Sequence, residues 1–125
     1  MPGTFPSKIL DVISKAQVVG IKIGKKPHRV IAVWVVVAKN RVFVRSWSLK
    51  SEGWYRTTLR EPRGSLHLSN RSIRIRTVRT RSEKLRDAVT LAYKQKYNTP
   101  GSIRYVKDLS GKQSRETTTE LIPLR

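Results

Sequence analysis

The chain has 125 residues and 38% hydrophobic content, with 27 Lys and Arg against 8 Asp and Glu, for a formal charge of +19. That length suits one domain, residues 1–125, around one core. The absence of cysteine excludes disulfides, thiolate metal sites and a cysteine nucleophile, while a field of this sign attracts anions such as nucleic acid, an anionic membrane surface or phosphorylated small molecules.

No apolar run reaches the length that spans a bilayer. Met1 to Pro6 lack the basic start and apolar core of a signal peptide, so the expectation is a cytoplasmic protein outside the membrane. Ser7 is a candidate N-cap for a helix over 8–16, on which Ile9, Ile13 and Ala16 share a face with Leu10. Val19, Ile21 and Ile23 alternate with Gly20, Lys22 and Gly24, the period of a half-buried strand. Residues 30–38 hold seven Val, Ile or Trp and two Ala, which predicts one strand covered on both faces. The Lys39–Asn40 break then predicts a tight hairpin, because Asn tolerates the positive φ such turns require. The next strand starts at Arg41 and leaves the apolar register at Arg45 and Ser46, before a small polar loop and Gly53. A strand end of this kind is where a scaffold presents chemistry.

Beyond Arg56 the chain suggests a helical turn to Arg60, then a turn over Glu61–Gly64. Ser65 to Ser69 and Ser72 to Val78 predict a second hairpin joined at Asn70–Arg71, with Ile73 and Ile75 facing in and Arg74 and Arg76 facing water. Thr80 to Glu83 have capping-box spacing and predict a helix carrying Leu85, Ala88, Val89 and Ala92, with Tyr93 alongside, that ends by Asn98–Gly101. Residues 102–116 show no readable pattern, and Thr117 to Leu124 read as a last strand. Six strands joined mostly by tight turns, one helix before them and one inserted late, make an α+β protein on a small antiparallel barrel.

His28 and His67 stand apart from other candidate ligands and read as a turn residue and a strand residue. The acidic residues are scattered and no phosphate-binding glycine motif or nucleophile elbow occurs, so an enzyme on this chain would take its reactivity from a cofactor. Arg45, Ser46, Lys50 and Ser51 bring two cations and two hydroxyls within seven residues, the donor set a terminal phosphate wants. Trp47 and Trp54 bracket that loop and offer a surface to a flat ring. Residues 41–86 carry eleven Arg and two Lys against three Glu. The alternative reading is therefore a non-enzymatic barrel that tracks a nucleic-acid backbone with Arg71, Arg74, Arg76, Arg79 and Arg81.

The segments Ile31–Val35, Phe43–Ser46, Gly53–Arg56, Tyr93–Tyr97 and Thr117–Pro123, in this order, resemble a small bacterial family of uncharacterised proteins. That family resembles the split β-barrels of the pyridoxamine 5′-phosphate oxidases and the deazaflavin-dependent nitroreductases. The resemblance implies an α+β, six-stranded antiparallel split β-barrel with flanking helices, a homodimer, and FMN or deazaflavin bound by an oxidoreductase. In the oxidases a strand Arg, a Thr or Ser ending the next strand, and a Ser/Lys loop hold the flavin phosphate. At comparable places stand Arg29 or Arg45, Ser46, and Lys50 with Ser51, while Trp54–Tyr55 resembles the Trp-Tyr pair of the deazaflavin group. The central hairpin is expected to contribute to the dimer interface, since Trp34, Trp47 and Trp54 bring large aromatic surface to one end of a small barrel.

Overall fold

The computed structural model describes residues 4–25, 29–47 and 53–124. In chain order the elements begin with α1 (Ser7–Lys15), β1 (Val19–Ile23), β2 (Ile31–Val33), β3 (Val35–Ala38), β4 (Arg41–Val44) and α2 (Trp54–Arg60). They continue with β5 (Arg63–Leu68), β6 (Arg71–Arg79), α3 (Glu83–Lys96), α4 (Ile103–Leu109), α5 (Lys112–Arg115) and β7 (Thr119–Pro123). All ladders are antiparallel, in the order β2-β1-β5-β6-β7-β4-β3. The two strands that end this order are neighbours in the chain, separated only by Trp34. The sheet therefore nearly closes on itself, and the α+β split barrel expected from the sequence is present.

The apolar run expected as one strand divides at Trp34 because its halves pair with different partners. Val19↔Val33 and Ile21↔Ile31 join the first half to β1, whereas Val35↔Val44 and Ala38↔Arg41 join the second to β4. This division gives seven strands in place of six. Both faces of β3 are covered, as the run predicts. Val35 points into the barrel with Ile13, Ile21, Val44 and Leu121. Val36 and Phe43 point outward into a second core with Val89 and Tyr93 of α3, Tyr97 just beyond it, and Val106 and Leu109 of α4. A strand buried on both sides has no polar face to show, which is why its sequence does not alternate.

The first hairpin turns at Lys39 (φ 52°) and Asn40 (φ 61°), both left-handed as a type I′ turn requires. The second turns at Ser69–Asn70, one residue earlier than expected, with Ser69 at φ 48°. Pairing of Leu66 with Ile73 sets that register, since a slip of one would turn the apolar set outward. The long helix starts at Glu83, capped by Ser82, whose Oγ accepts from the Leu85 N–H at 3.3 Å. Thr80 instead extends the sheet, its N–H bonding Thr118 O at 2.9 Å. Pro6, not Ser7, precedes the first helix, its carbonyl accepting from the N–H groups of Ile9 and Leu10. Residues 102–116 form α4 and α5, each too short to show a helical period in the sequence.

The expected turn at Glu61–Gly64 ends early, because Gly64 already lies in the ladder between Ile23 and Ile75. A Cβ on Gly64 would stand 1.9 Å from Lys22 O and 3.0 Å from Ile23 Cα, both main chain of β1. Gly64→Ala is therefore expected to part β1 from β5 and cost about 2–3 kcal/mol. Urea unfolding measures this, and a wild-type midpoint would contradict the close approach.

Candidate functional site

At the end of β4 the chain leaves its ladder with Arg45, which is 1% exposed despite its charge. Its Nε donates to Thr118 Oγ1 at 2.8 Å, one Nη to Leu109 O at 2.9 Å and the other to Arg86 O at 2.9 Å. Its backbone N–H donates to Tyr93 Oη at 3.1 Å, and its guanidinium lies 5.8 Å from the Tyr93 ring centre. Leu109 ends α4, where carbonyls lack helical partners and carry the negative end of the helix dipole. Burial pulls the Arg45 pKa down to about 10, which leaves the side chain charged at neutral pH. The Tyr93 hydroxyl is pushed up, again chiefly by burial. Arg45 thus ties the strand end to α3, α4 and the entry of β7.

Ser46, also buried, is clamped through its main chain. Its N–H donates to Thr117 Oγ1 at 2.8 Å and its carbonyl accepts from Ser114 Oγ at 2.7 Å. Thr117 Oγ1 in turn donates to Ser114 O at 2.6 Å. The threonines that read as strand formers begin as a polar clamp, and β7 proper starts only at Thr119. Ser114, Thr117 and Thr118 escaped the sequence reading, although three successive Thr before an apolar pair was the available signal.

Trp54 and Tyr55 open α2 and are buried in the barrel core, their rings 6.1 Å apart and nearly perpendicular. The Tyr55 hydroxyl donates to Glu116 O at 3.3 Å. Arg29 is exposed just before β2, whereas Lys50, Ser51 and His28 lie outside the described residues. Arg45 and Ser46 thus precede residues 48–52, which lie outside the described residues, and Trp54 and Tyr55 follow them. The structure turns the three Arg45 donors inward, so the expected convergence of Arg45 on a solvent-borne phosphate is absent: its hydrogen bonds go to protein acceptors.

What does stand open is aromatic. Trp34, at the break between β2 and β3, stacks on Tyr97 at 4.2 Å and 11°. Trp47 meets Trp34 edge-on at 5.6 Å and 77°, and Tyr105 meets Trp34 and Trp47 at 5.9 and 6.4 Å. Trp47 is 49% exposed and Tyr105 42%. The break itself is held from behind: Tyr93 Oη donates to Trp34 O at 2.8 Å, and the Val35 N–H donates to Tyr97 Oη at 3.1 Å. Lys96 Nζ donates to Val35 O at 2.7 Å and Ile13 O at 3.1 Å, and burial pulls its pKa down to about 8.

The alternative set lies elsewhere. Arg71, Arg74, Arg76 and Arg79 follow β6 and Arg81 lies just beyond it, all exposed. Among the described residues no group of three His, Asp or Glu is placed to hold a metal ion, and no helix is long and apolar enough to cross a membrane.

Arg45→Met keeps most of the side-chain volume but removes the buried donors to Thr118 Oγ1 and to the carbonyls of Leu109 and Arg86. The expected loss is about 3 kcal/mol or more, against less than about 0.5 kcal/mol for exposed Arg74→Met. Parallel chemical denaturation of the two variants measures the difference. Equal midpoints would refute the internal role of Arg45.

Comparison with solved structures supports the fold. A conserved hypothetical protein from Mycobacterium tuberculosis superposes with a TM-score of 0.64 at 15% identity, over 99% of this chain and 81% of that one. A putative pyridoxamine 5′-phosphate oxidase from Listeria innocua superposes with a TM-score of 0.62 at 12% identity, over 95% and 93% of the two chains. No curated protein matches the sequence. Residues 9–121 match the family described as uncharacterized protein conserved in bacteria, DUF2255, and the chain belongs to that family.

Proposed function

We propose that this chain binds a phosphorylated flavin-type cofactor, FMN or deazaflavin, and acts with it as an oxidoreductase. The observation that carries the reading is the uncovered aromatic corner where the barrel splits. Trp47 and Tyr105 present half-exposed rings beside Trp34, and Lys50 and Ser51 follow Trp47 closely in the sequence. A flat ring packs on such a corner, and Lys50, Ser51 and Arg29 offer the charge and hydroxyl that a phosphate requires. The oxidase-like neighbour lends the reading support through its fold. Arg45 and Ser46 serve by fixing the chain before Lys50 and Ser51, and Trp54 and Tyr55 by anchoring the chain after them in the core. The bound cofactor supplies the redox chemistry, while this chain orients the ring and holds the phosphate.

FMN and riboflavin titrations against wild type, Trp47→Ala and Lys50→Ala test this. Lys50→Ala is expected to weaken FMN by roughly 1.5–3 kcal/mol and to leave riboflavin nearly unchanged, whereas Trp47→Ala weakens both. Failure of the wild type to bind either FMN or a deazaflavin, or an unchanged FMN affinity in Lys50→Ala, ends the cofactor reading.

The reading includes a homodimer, because a partner seated beside the bound ring would complete the cover of the half-exposed Trp47 and Tyr105. Light scattering at moderate salt is expected to give twice the chain mass, and a monomer across the micromolar range would contradict it. Repulsion between two chains of +19 weakens such a dimer at low ionic strength.

A further inference from the structure

We infer that the outward face of β1, β5 and β6 is a second binding site, which takes the phosphate backbone of duplex nucleic acid without reading its sequence. The register sets the face. Lys22 pairs with Ser65 and Ser65 with Arg74, so these three form one row across the sheet; Arg63 and Arg76 stand opposite each other in the next. Lys22, Arg63, Arg74 and Arg76 are all exposed. Neighbouring strands lie about 4.8 Å apart and successive same-face residues about 6.7 Å apart, so the four cations occupy a plate roughly 10 Å across the strands and roughly 7 Å along them. Arg71 and Arg79, at the two ends of β6, are exposed but have the parity of Ile73 and Ile75, so they lie outside this plate.

Three features favour a duplex backbone. The charge is uncompensated within the face: residues 62–82 carry six Arg and no Asp or Glu. The ion pairs among the described residues lie elsewhere, at Asp11–Lys15, Glu120–Arg41, Glu83 with Arg86 and Arg115, and Asp87–Arg115. Next, Arg63 directly opposite Arg76 is a like-charge cross-strand pair, which destabilises a sheet until an anion screens it. Finally, no large apolar or aromatic side chain is exposed on β5 or β6, and the exposed Val30 lies off the cationic rows, against Gly20 and His67. Single-strand binders stack bases on such rings, and membrane binders bury such groups, whereas contact with duplex phosphates needs neither. His67, the ring nearest the face, is half-buried and bonded to Ser65 Oγ at 2.8 Å. At one end the face meets a cleft of about 450 Å³ lined by Lys25, Arg60, Glu61 and Arg63; the Glu61 carboxylate there accepts from the Lys25 N–H at 3.1 Å.

The site is independent of the cofactor reading, and the test keeps the two apart. Anisotropy of labelled duplex DNA and duplex RNA is followed in rising salt for wild type, Arg74→Gln/Arg76→Gln, and a control pair of exposed helix cations, Lys94→Gln/Lys107→Gln. Four phosphates imply that raising salt from about 50 to about 200 mM weakens wild-type DNA binding roughly 150-fold, and the strand variant only about 12-fold. The control should behave as wild type, and FMN titration should be the same in all three. Equal salt slopes in the strand variant and wild type, or equal losses in both variants, would overturn the site and leave only diffuse net charge. Absence of duplex binding at low salt would overturn it as well. Tighter binding of single strands, or of anionic vesicles, would overturn the duplex assignment. DNA and RNA duplexes bound alike would support a contact to phosphate alone.

Discussion

Arg45 carries its charge into the seam between the barrel and the helices, and much of the architecture on that side depends on how the charge is received. The strand that ends at Val44 has the barrel core on one face and the helical core on the other. Where it stops, both layers need a connection that apolar packing does not supply at a strand terminus. The guanidinium provides it, reaching a carbonyl of α3, the terminal carbonyl of α4 and the hydroxyl of Thr118 in one planar fork. A buried cation without partners would be strongly unfavourable, and an Arg offers more fixed donors to neutral acceptors than a Lys does. Tyr93 works the same seam from the helix side, accepting from Arg45 and donating to Trp34 O, so the strand end and the barrel break are positioned by one ring.

The distribution of acids follows from this construction. Glu83, Asp87 and Glu120 pair with Arg86, Arg115 and Arg41, around the helical layer and the β4–β7 edge. Among the described residues none lies within β5 or β6, and Glu61, just before β5, accepts from the Lys25 N–H. In strand order the aromatic corner, at the β2–β3 break, and the basic face, centred on β5 and β6, lie on different sides of the barrel. A ring-and-phosphate ligand and a polyanion would therefore occupy separate surfaces of the same molecule.

Local chemistry explains which parts of this were legible in the sequence. The Lys39–Asn40 turn, the alternation in β1 and β6, and the apolar stripe of α3 are patterns complete within a few residues, and each is found where expected. The break at Trp34 is decided by which strand each half of the run pairs with, and nothing in nine apolar residues specifies that. The inward turn of Arg45 depends on Arg86, Leu109 and Thr118, at separations of 41, 64 and 73 residues. Read alone, an Arg after an apolar strand belongs to solvent, and the expectation that it meets a phosphate followed from that. The burial of Trp54 and Tyr55 was not legible either, since an aromatic pair beside a polar stretch reads equally well as a ligand platform or as core. Arg74 and Arg76 of β6 were legible because exposure there needs only the two-residue period.

The central claim is that Arg45 is an internal strut while anions are met by side chains outside it. Nitrogen-15 NMR of the arginine side chains tests it most directly, with Arg45 assigned by the signal lost in Arg45→Lys. The account predicts one Nε–H resonance that exchanges slowly with water, shows hindered rotation of its Nη groups, and does not move when phosphate or FMN is added. A fast-exchanging Arg45 signal that shifts with added phosphate would contradict it.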